Sequence, residues 1–187
     1  MSSFDIQDTP IYGLTVLKRQ PIEDSRGLLE RLFCQETLNE LLDGESIRQV
    51  NRTVTRHKGA VRGLHFQHPP YAETKIVSCL RGEVWDVAVD LRKGSKTFLR
   101  HHAIVLTEHS QTTFVIPKGF AHGFQTLAPN CELIYFHTAD YRPDAEGGIN
   151  ALDPRLAIEW PETIAERSER DTMLPMLHGD FSGLEVS

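Results

Sequence analysis

The sequence predicts a mainly β fold, a barrel or sandwich of strands with a few short helices that lie mostly toward the C-terminus. Its apolar runs are short, rich in Val, Ile, Thr and Phe, and separated by Gly, Pro and charged turns, which is typical of all-β proteins. Alternation is clearest in residues 84–91, where bulky apolar positions alternate with small or acidic ones. We expect the small and acidic face to line a ligand-holding interior and the bulky face to pack against another sheet.

The individual elements follow from local patterns along the chain. Residues 35–42 place leucines at helical spacing ahead of Gly44, which predicts a short helix, and Pro161 predicts the first turn of a second helix over residues 161–167. Because no internal repeat or linker is found, we expect one domain over residues 1–187 with a C-terminal extension over about 161–187. Strands are predicted at residues 12–17, 28–34, 47–55, 74–80, 83–91, 97–106, 112–116 and 132–137.

Composition narrows the class of protein. The 187 residues carry a net charge of -6 and no Lys- or Arg-rich run, so we expect no nucleic-acid partner. Residues 1–5 lack the basic flank and apolar stretch of a secretory signal, and no apolar run approaches the ~20 residues of a membrane span. The odd number of cysteines, with no C-x-x-C spacing, indicates structural thiols in a reducing compartment. We therefore expect a cytoplasmic protein without a membrane partner. The cysteines are Cys34, Cys79 and Cys131.

Two Gly-punctuated motifs, residues 62–67 and 117–124, each place one histidine in a strand-rich context. Together they resemble the two halves of a cupin barrel. A metal-binding cupin needs a second histidine and a carboxylate at the positions that Gln67 and Lys75 occupy here. Because an ammonium group repels a divalent cation and is a poor ligand, we predict a pocket without a metal or other cofactor.

Three side chains are candidates for proton chemistry in such a pocket. His65 is a natural general base near neutral pH, since the ordinary pKa of histidine is about 6.5. Lys75 could stabilise a developing enolate oxygen if it faces the pocket, whereas on an edge strand it would be an exposed lysine. Tyr135 is a credible general acid, although most tyrosines in strands are packing residues.

Other polar residues leave more than one interpretation open. Asp86 and Asp90 share a strand face, and either could pair with Lys75 or with His122. Tyr141 is six residues after Tyr135, a spacing that would place both on one face of an extended strand. Arg26 and Arg62 are candidate phosphate-binding forks or ordinary surface arginines. The remaining histidines, interpreted as surface or packing residues, are His57, His68, His101, His102, His109, His137 and His178.

Many motifs in order, taken together, identify a family resemblance. From about residue 24 to about residue 177, the chain resembles the dTDP-4-dehydrorhamnose 3,5-epimerases, cupin-fold enzymes with a jelly-roll barrel. The matching motifs lie at residues 24–27, 49–51, 59–67, 74–77, 82–92, 116–124, Tyr135, Tyr141, 153–161 and 168–171.

The resemblance implies a role for each matching residue. It implies that His65, oriented by Asp171, removes the C3 and C5 protons of a nucleotide-linked 4-keto-6-deoxyhexose. Lys75 would then stabilise the enolate at C4, and Tyr135 would return a proton from the opposite face. It also implies a homodimer with an exchanged N-terminal strand, in which Arg26 serves the partner's pocket. The positions implied to bind substrate are Arg26, Gln49, Asn51, Arg62, His122 and Tyr141.

One segment departs from the family pattern. Residues 28–31 read Leu-Leu-Glu-Arg, where family members have an aromatic pair and then a glutamate. Arg31 inverts the local charge, and the leucines remove a surface on which a base could stack. The nucleotide base is therefore left open, as is a single-centre (3- or 5-) epimerase. A sugar- or nucleotide-binding cupin without catalysis also stays open, and a metal-dependent cupin oxygenase is disfavoured by Lys75.

Overall fold

The computed structural model describes residues 4–186 as a sandwich of antiparallel strands. Residues 1–3 and residue 187 lie outside the described residues. Residues 1–3 belong to the segment in which no secretory signal is predicted. The helices are α1 (Gln35–Leu38) and α2 (Glu169–Thr172). The strands are β1 (Phe4–Asp8), β2 (Thr15–Arg19), β3 (Ile22–Asp24), β4 (Gly27–Leu29), β5 (Gln49–Thr55), β6 (Val61–Gln67), β7 (Lys75–Arg81), β8 (Glu83–Asp90), β9 (His101–Thr107), β10 (Thr112–Ile116), β11 (Phe120–Thr126), β12 (Cys131–His137) and β13 (Glu146–Gly148).

Two sheets form the sandwich. The first has the order β1-β2-β10-β7-β12-β5, the second has the order β13-β6-β11-β8-β9, and β3 and β4 form a separate hairpin. Side chains from both sheets, among them Phe114 and Leu133 from the first and Leu106 and Phe124 from the second, meet in one buried cluster. The predicted fold class, a mainly β jelly roll of the cupin type with few short helices, is confirmed.

The alternating strand β8 separates the interior from a second apolar layer. Its even-numbered face contributes Val84 and Ala88 to the cluster between the sheets, as predicted. Its odd-numbered face packs against the C-terminal segment, with the Trp85 and Trp160 rings at 5.4 Å. The expectation of another sheet on this face is wrong, because the C-terminal residues cover it instead.

Close contact between β6 and β11 explains why both histidine motifs contain glycine. A Cβ on Gly63 would lie 2.7 Å from the Cα of Gly123, and one on Gly123 would lie 2.7 Å from the carbonyl oxygen of Arg62. Gly63 also has a φ of +116°, which disfavours other residues. The two strands therefore approach at glycines and bring His65 opposite His122 in register.

Some predicted elements differ from the structure. Of the predicted strand over residues 28–34, only Leu28 and Leu29 form β structure, as part of strand β4 in the hairpin. Residues 161–167 are not helical, because Ala165 and Glu166 instead make backbone hydrogen bonds to Gly59 and Val61. The C-terminal helix follows as α2, whose first turn is capped by the Ser168 hydroxyl accepting from the Asp171 N–H. Within residues 4–186, no helix has the length and apolar character needed to cross a membrane.

Candidate active site

A cavity of about 300 Å³ opens between the two sheets and contains most of the predicted site residues. Two larger depressions, of about 650 and 870 Å³, lie along the C-terminal segment and lack His65, Lys75 and Tyr135. The smaller cavity is therefore the candidate site, because it unites the groups capable of proton transfer. Its lining is Asn51, Thr53, Arg62, His65, Glu73, Lys75, His122, Gly123, Phe124, Tyr135, His137, Tyr141, Glu146, Ser168, Arg170 and Asp171.

His65 and Asp171 form a histidine–carboxylate dyad on one wall. His65 Nε2 lies 2.8 Å from Asp171 Oδ1, and the Gly63 N–H donates to Asp171 Oδ2 at 3.1 Å. Burial alone would raise the pKa of the Asp171 carboxyl, but hydrogen bonds and charge from His65, followed by the Gly63 N–H, hold that pKa below its usual value. The carboxylate fixes the orientation of the imidazole through Nε2 and leaves Nδ1 as the nitrogen that can accept a proton.

Lys75 lies in the cavity wall, and its side chain is 10% exposed. Its Nζ donates to the His65 carbonyl oxygen at 3.2 Å and lies 3.4 Å from Glu73 Oε1. The predicted pairing of Lys75 with Asp86 or Asp90 is wrong. Asp86 instead lies 2.8 Å from His122 Nε2, in agreement with the predicted pairing to His122, while Asp90 accepts from Arg92, Ser95 and Thr97.

Tyr135 comes from the opposite sheet to His65. It belongs to β12, which pairs with the Lys75 strand β7, whereas His65 belongs to β6. Burial and, next, the charge of Asp86 raise the pKa of the Tyr135 hydroxyl. The phenol therefore retains its proton until a stronger base, such as a carbanion, takes it. The fold thus places a base on one sheet and a cation and an acid on the other.

The predicted binding residues divide into three groups. Asn51, Arg62, His122 and Tyr141 line the cavity. Gln49 supports it from outside, since its side-chain oxygen accepts from the Tyr141 N–H at 2.9 Å. The third group is Arg26 alone, which lies on the β3–β4 hairpin with its side chain 88% exposed and paired with Asp24.

Tyr141 reaches the cavity by a different route from the one the spacing predicts. Strand β12 ends at His137, so Tyr141 lies in the following loop rather than on the same strand face as Tyr135. Its backbone N–H is held by Gln49, and its hydroxyl donates to Glu146 Oε2 at 2.8 Å. The loop conformation, and not strand periodicity, therefore places this side chain at the site.

Sequence reasoning missed four titratable residues in the cavity, namely Glu73, His137, Glu146 and Arg170. His137, interpreted as a surface or packing histidine, lines the cavity and lies 3.1 Å from Glu73 through Nδ1. A signal was available, because His137 is two residues after Tyr135 in β12 and so shares its strand face. Glu73 precedes β7 in an irregular segment and carried no such signal.

Comparison with known proteins places this geometry in a family. The family model for dTDP-4-dehydrorhamnose 3,5-epimerase matches residues 8–179. The chain belongs to the dTDP-4-dehydrorhamnose 3,5-epimerase family. The dTDP-4-dehydrorhamnose 3,5-epimerase of Salmonella typhimurium is 38% identical over 171 residues, covering 90% of this chain and 93% of that protein. The predicted membership and the prediction of an epimerase-like isomerase are thereby confirmed.

Solved structures in the same family superpose closely. The dTDP-6-deoxy-D-glucose-3,5-epimerase of Legionella pneumophila, in complex with dTDP-4-keto-L-rhamnose, matches with a TM-score of 0.90 and 35% identity, covering 98% of this chain and all of that chain (100%). A 3'-monoepimerase from Streptomyces bikiniensis, in complex with dTDP-quinovose, matches with a TM-score of 0.82 and 32% identity. The match covers 91% of this chain and 86% of that chain. Both double and single epimerases of this family therefore share the fold.

Proposed function

We propose that this chain inverts both C3 and C5 of a dTDP-linked 4-keto-6-deoxyhexose, as in the conversion of dTDP-4-dehydro-6-deoxyglucose to dTDP-4-dehydro-L-rhamnose. The observation that carries the proposal is the opposition of the His65–Asp171 dyad and Tyr135 on the two sheets, with Lys75 in the same cavity. Epimerisation beside a ketone needs a base and an acid on opposite sides of the sugar ring. It also needs a group that stabilises the enolate oxygen. These residues supply that set.

The reaction begins with proton removal by His65. The C4 ketone acidifies the hydrogens on C3 and C5, because the resulting carbanion is delocalised onto the ketone oxygen as an enolate. His65 takes the proton, and the Asp171 carboxylate stabilises the imidazolium that forms. Tyr135 then gives its proton to the same carbon from the other wall, which inverts the centre and restores the ketone.

Lys75 is assigned to the enolate oxygen. Its ammonium group is buried and held by Glu73 and the His65 carbonyl oxygen, so it is oriented before substrate enters. Fixed positive charge in a site with little water stabilises charge that develops during the reaction more strongly than water does.

We expect Lys75→Met to lower turnover more than binding. Methionine keeps the length and apolar stem of lysine but cannot stabilise the enolate, so kcat should fall about 10²–10³-fold while the Kd for dTDP stays close to that of the wild type. Steady-state kinetics and calorimetric titration with dTDP measure the two effects. The exposed Lys96→Met variant is the matched control. A loss confined to binding would remove Lys75 from the chemistry.

The proposal includes recognition of an anionic nucleotide diphosphate. Four predicted binding residues line the cavity, and Gln49 holds the Tyr141 backbone. The four are Asn51, Arg62, His122 and Tyr141. A few local cations suffice to hold a diphosphate on a protein with a net charge of -6. Arg26 would join them only from a second copy of the chain.

We propose a homodimer in which the hairpin around Arg26 reaches the partner's pocket. Support comes from exposed apolar residues on the hairpin, Leu28 and Leu29, and on the edge strand β5, Val50 and Val54. An edge strand beside exposed apolar side chains favours association with another chain. We propose that the two chains of this dimer also exchange their N-terminal strands.

Arg26→Ala tests the shared pocket. We expect light scattering to find a dimer for the wild type and for Arg26→Ala, and the KM for the nucleotide sugar to rise about tenfold, as loss of one charge-assisted hydrogen bond predicts. The exposed Arg100→Ala variant should leave KM unchanged. A monomeric wild type, or an Arg26→Ala variant with an unaltered KM, would contradict the shared site.

A single-centre epimerase is the second candidate, and the match to the 3'-monoepimerase is the observation that favours it. The same base and acid serve both reactions. A binding protein without catalysis would need neither His65 nor Tyr135.

Proton NMR of the sugar after incubation with the dTDP-, UDP- or GDP-linked 4-keto-6-deoxyhexose separates these functions. Inversion at both centres of the dTDP sugar supports the proposal, inversion at one supports the second candidate, and activity only with another base points to residues 28–31.

A further inference from the structure

A third histidine–carboxylate pair, besides His65–Asp171 and His122–Asp86, lies in the cavity wall that carries Tyr135. His137 Nδ1 lies 3.1 Å from Glu73 Oε2, and both side chains are largely buried, 12% and 9% exposed. His137 Nε2 lies 3.4 Å from Asn51 Nδ2, and the imidazole stacks on the Tyr135 ring with centroids 6.0 Å apart and an angle of 16°. The pair therefore resembles the His65–Asp171 dyad, with one nitrogen held by a carboxylate and the other beside a cavity-lining group.

An ionised carboxylate lies behind His137, on the side of the ring away from Asn51. Burial alone would raise the pKa of the Glu73 carboxyl, but the hydrogen bond to His137 and the charges of Lys75 and His137 hold that pKa below its usual value. Glu73 is thus ionised and also accepts from Gln67 Nε2 at 3.3 Å. If His137 is neutral, the negative charge of Glu73 and the positive charge of Lys75 cancel. If His137 is protonated, the three side chains carry a net positive charge, which complements the negative charge of an enolate.

Inversion at two carbons requires two protons from the same wall. Tyr135 carries one proton, and the burial and neighbouring Asp86 charge that raise its pKa disfavour the phenolate left after transfer. A second proton held beside the phenol would allow the second inversion while the sugar still covers the cavity. Among the residues lining the cavity, His137 is the histidine that stacks on Tyr135 with a carboxylate behind it.

We propose that His137, held by Glu73, is a second proton donor for the same reaction, an inference that rests on the proposed function. The His137 Nε2–H bond breaks and a C–H bond forms at the second enolate carbon. The enolate electron pair forms that bond, and the C4 carbonyl is restored. The imidazolium becomes neutral imidazole with Nδ1–H still donating to Glu73. His65, whose side chain is 30% exposed, gives the proton from the first carbon to water before it takes the second, so protons and charge balance. The Asn51 amide offers both a donor and an acceptor and can serve either form of the ring.

The test compares exchange with inversion in His137→Gln. Glutamine keeps hydrogen-bonding capacity but cannot carry the proton. In heavy water, deuterium should still enter C3 and C5, because His65 can return a deuteron to the original face. The second inversion, followed by proton NMR, should fall about 10²-fold, the lower end of what a general acid contributes. The exposed His109→Gln variant should behave as the wild type.

Two results would overturn the assignment. One is a His137→Gln enzyme that inverts both centres as fast as His109→Gln does. The other is an equal loss of exchange and inversion, which indicates a role in binding or packing. If His137→Gln does not fold, Glu73→Gln carries the test, since loss of the carboxylate should produce the same separation of exchange from the second inversion. A wild-type chain that exchanges neither hydrogen contradicts the proposed function, and the inference fails with it.

Discussion

His65→Ala is expected to abolish hydrogen exchange at both C3 and C5 of the sugar. A positioned general base contributes about 10²–10⁴-fold, and one base serves both centres in this account, so both signals should fall together. Deuterium incorporation measured by mass spectrometry in heavy water gives the size of the loss. The effect should be large because Asp171 holds this imidazole in place at 2.8 Å.

The matched control is His109→Ala, since His109 is exposed and lies outside the cavity. It should exchange both hydrogens at the wild-type rate. Persistence of exchange at one carbon in His65→Ala would mean that a second base serves that centre. The His122–Asp86 pair, at 2.8 Å in the same cavity, would then be the first candidate to test.

Tyr135→Phe is expected to separate exchange from inversion. The variant keeps the ring that packs in the barrel interior but removes the proton given to the carbanion. Inversion should fall about 10²–10⁴-fold, while deuterium still enters the sugar with retention of configuration, because His65 can return it. Proton NMR measures configuration and exchange in one sample.

Tyr12→Phe, at a residue that is 89% exposed, controls for the loss of a phenol hydroxyl elsewhere. An equal fall in exchange and inversion for Tyr135→Phe would mean that the hydroxyl supports binding or the base rather than returning a proton. If Tyr135→Phe inverts both centres normally, Tyr135 is not the acid, and His137, which stacks on the same ring, would supply both protons.

Much of the central fold could be predicted because its strands carry strong local patterns. The alternation in β8 predicted which side chains face the interior, since one face contacts the opposite sheet and the other contacts apolar C-terminal residues. Local sequence was therefore sufficient to predict which way a side chain faces where the alternation of its own strand decides this. Strands β6 and β11, which carry the two histidine motifs, were absent from the predicted strands, because the glycines that their close approach requires interrupt the apolar pattern of a strand.

Features set by distant segments could not be predicted in the same way. Residues 161–167 contain a proline suited to a helix start, yet they extend along Gly59 and Val61 because tertiary hydrogen bonds outweigh a weak helical preference. Glu73 reaches His137 and Lys75 from an irregular segment with no periodicity. Arg26, implied to bind substrate by family resemblance, lies on an exposed hairpin and does not line the cavity of its own chain.

Double epimerisation by the wild-type chain is measured by incubation with dTDP-4-keto-6-deoxyglucose in heavy water, followed by mass spectrometry and proton NMR. We predict one deuterium at C3, one at C5, and inverted configuration at both carbons. Inversion without deuterium, or no change in the sugar, would contradict proton removal by His65 and return from the Tyr135 wall.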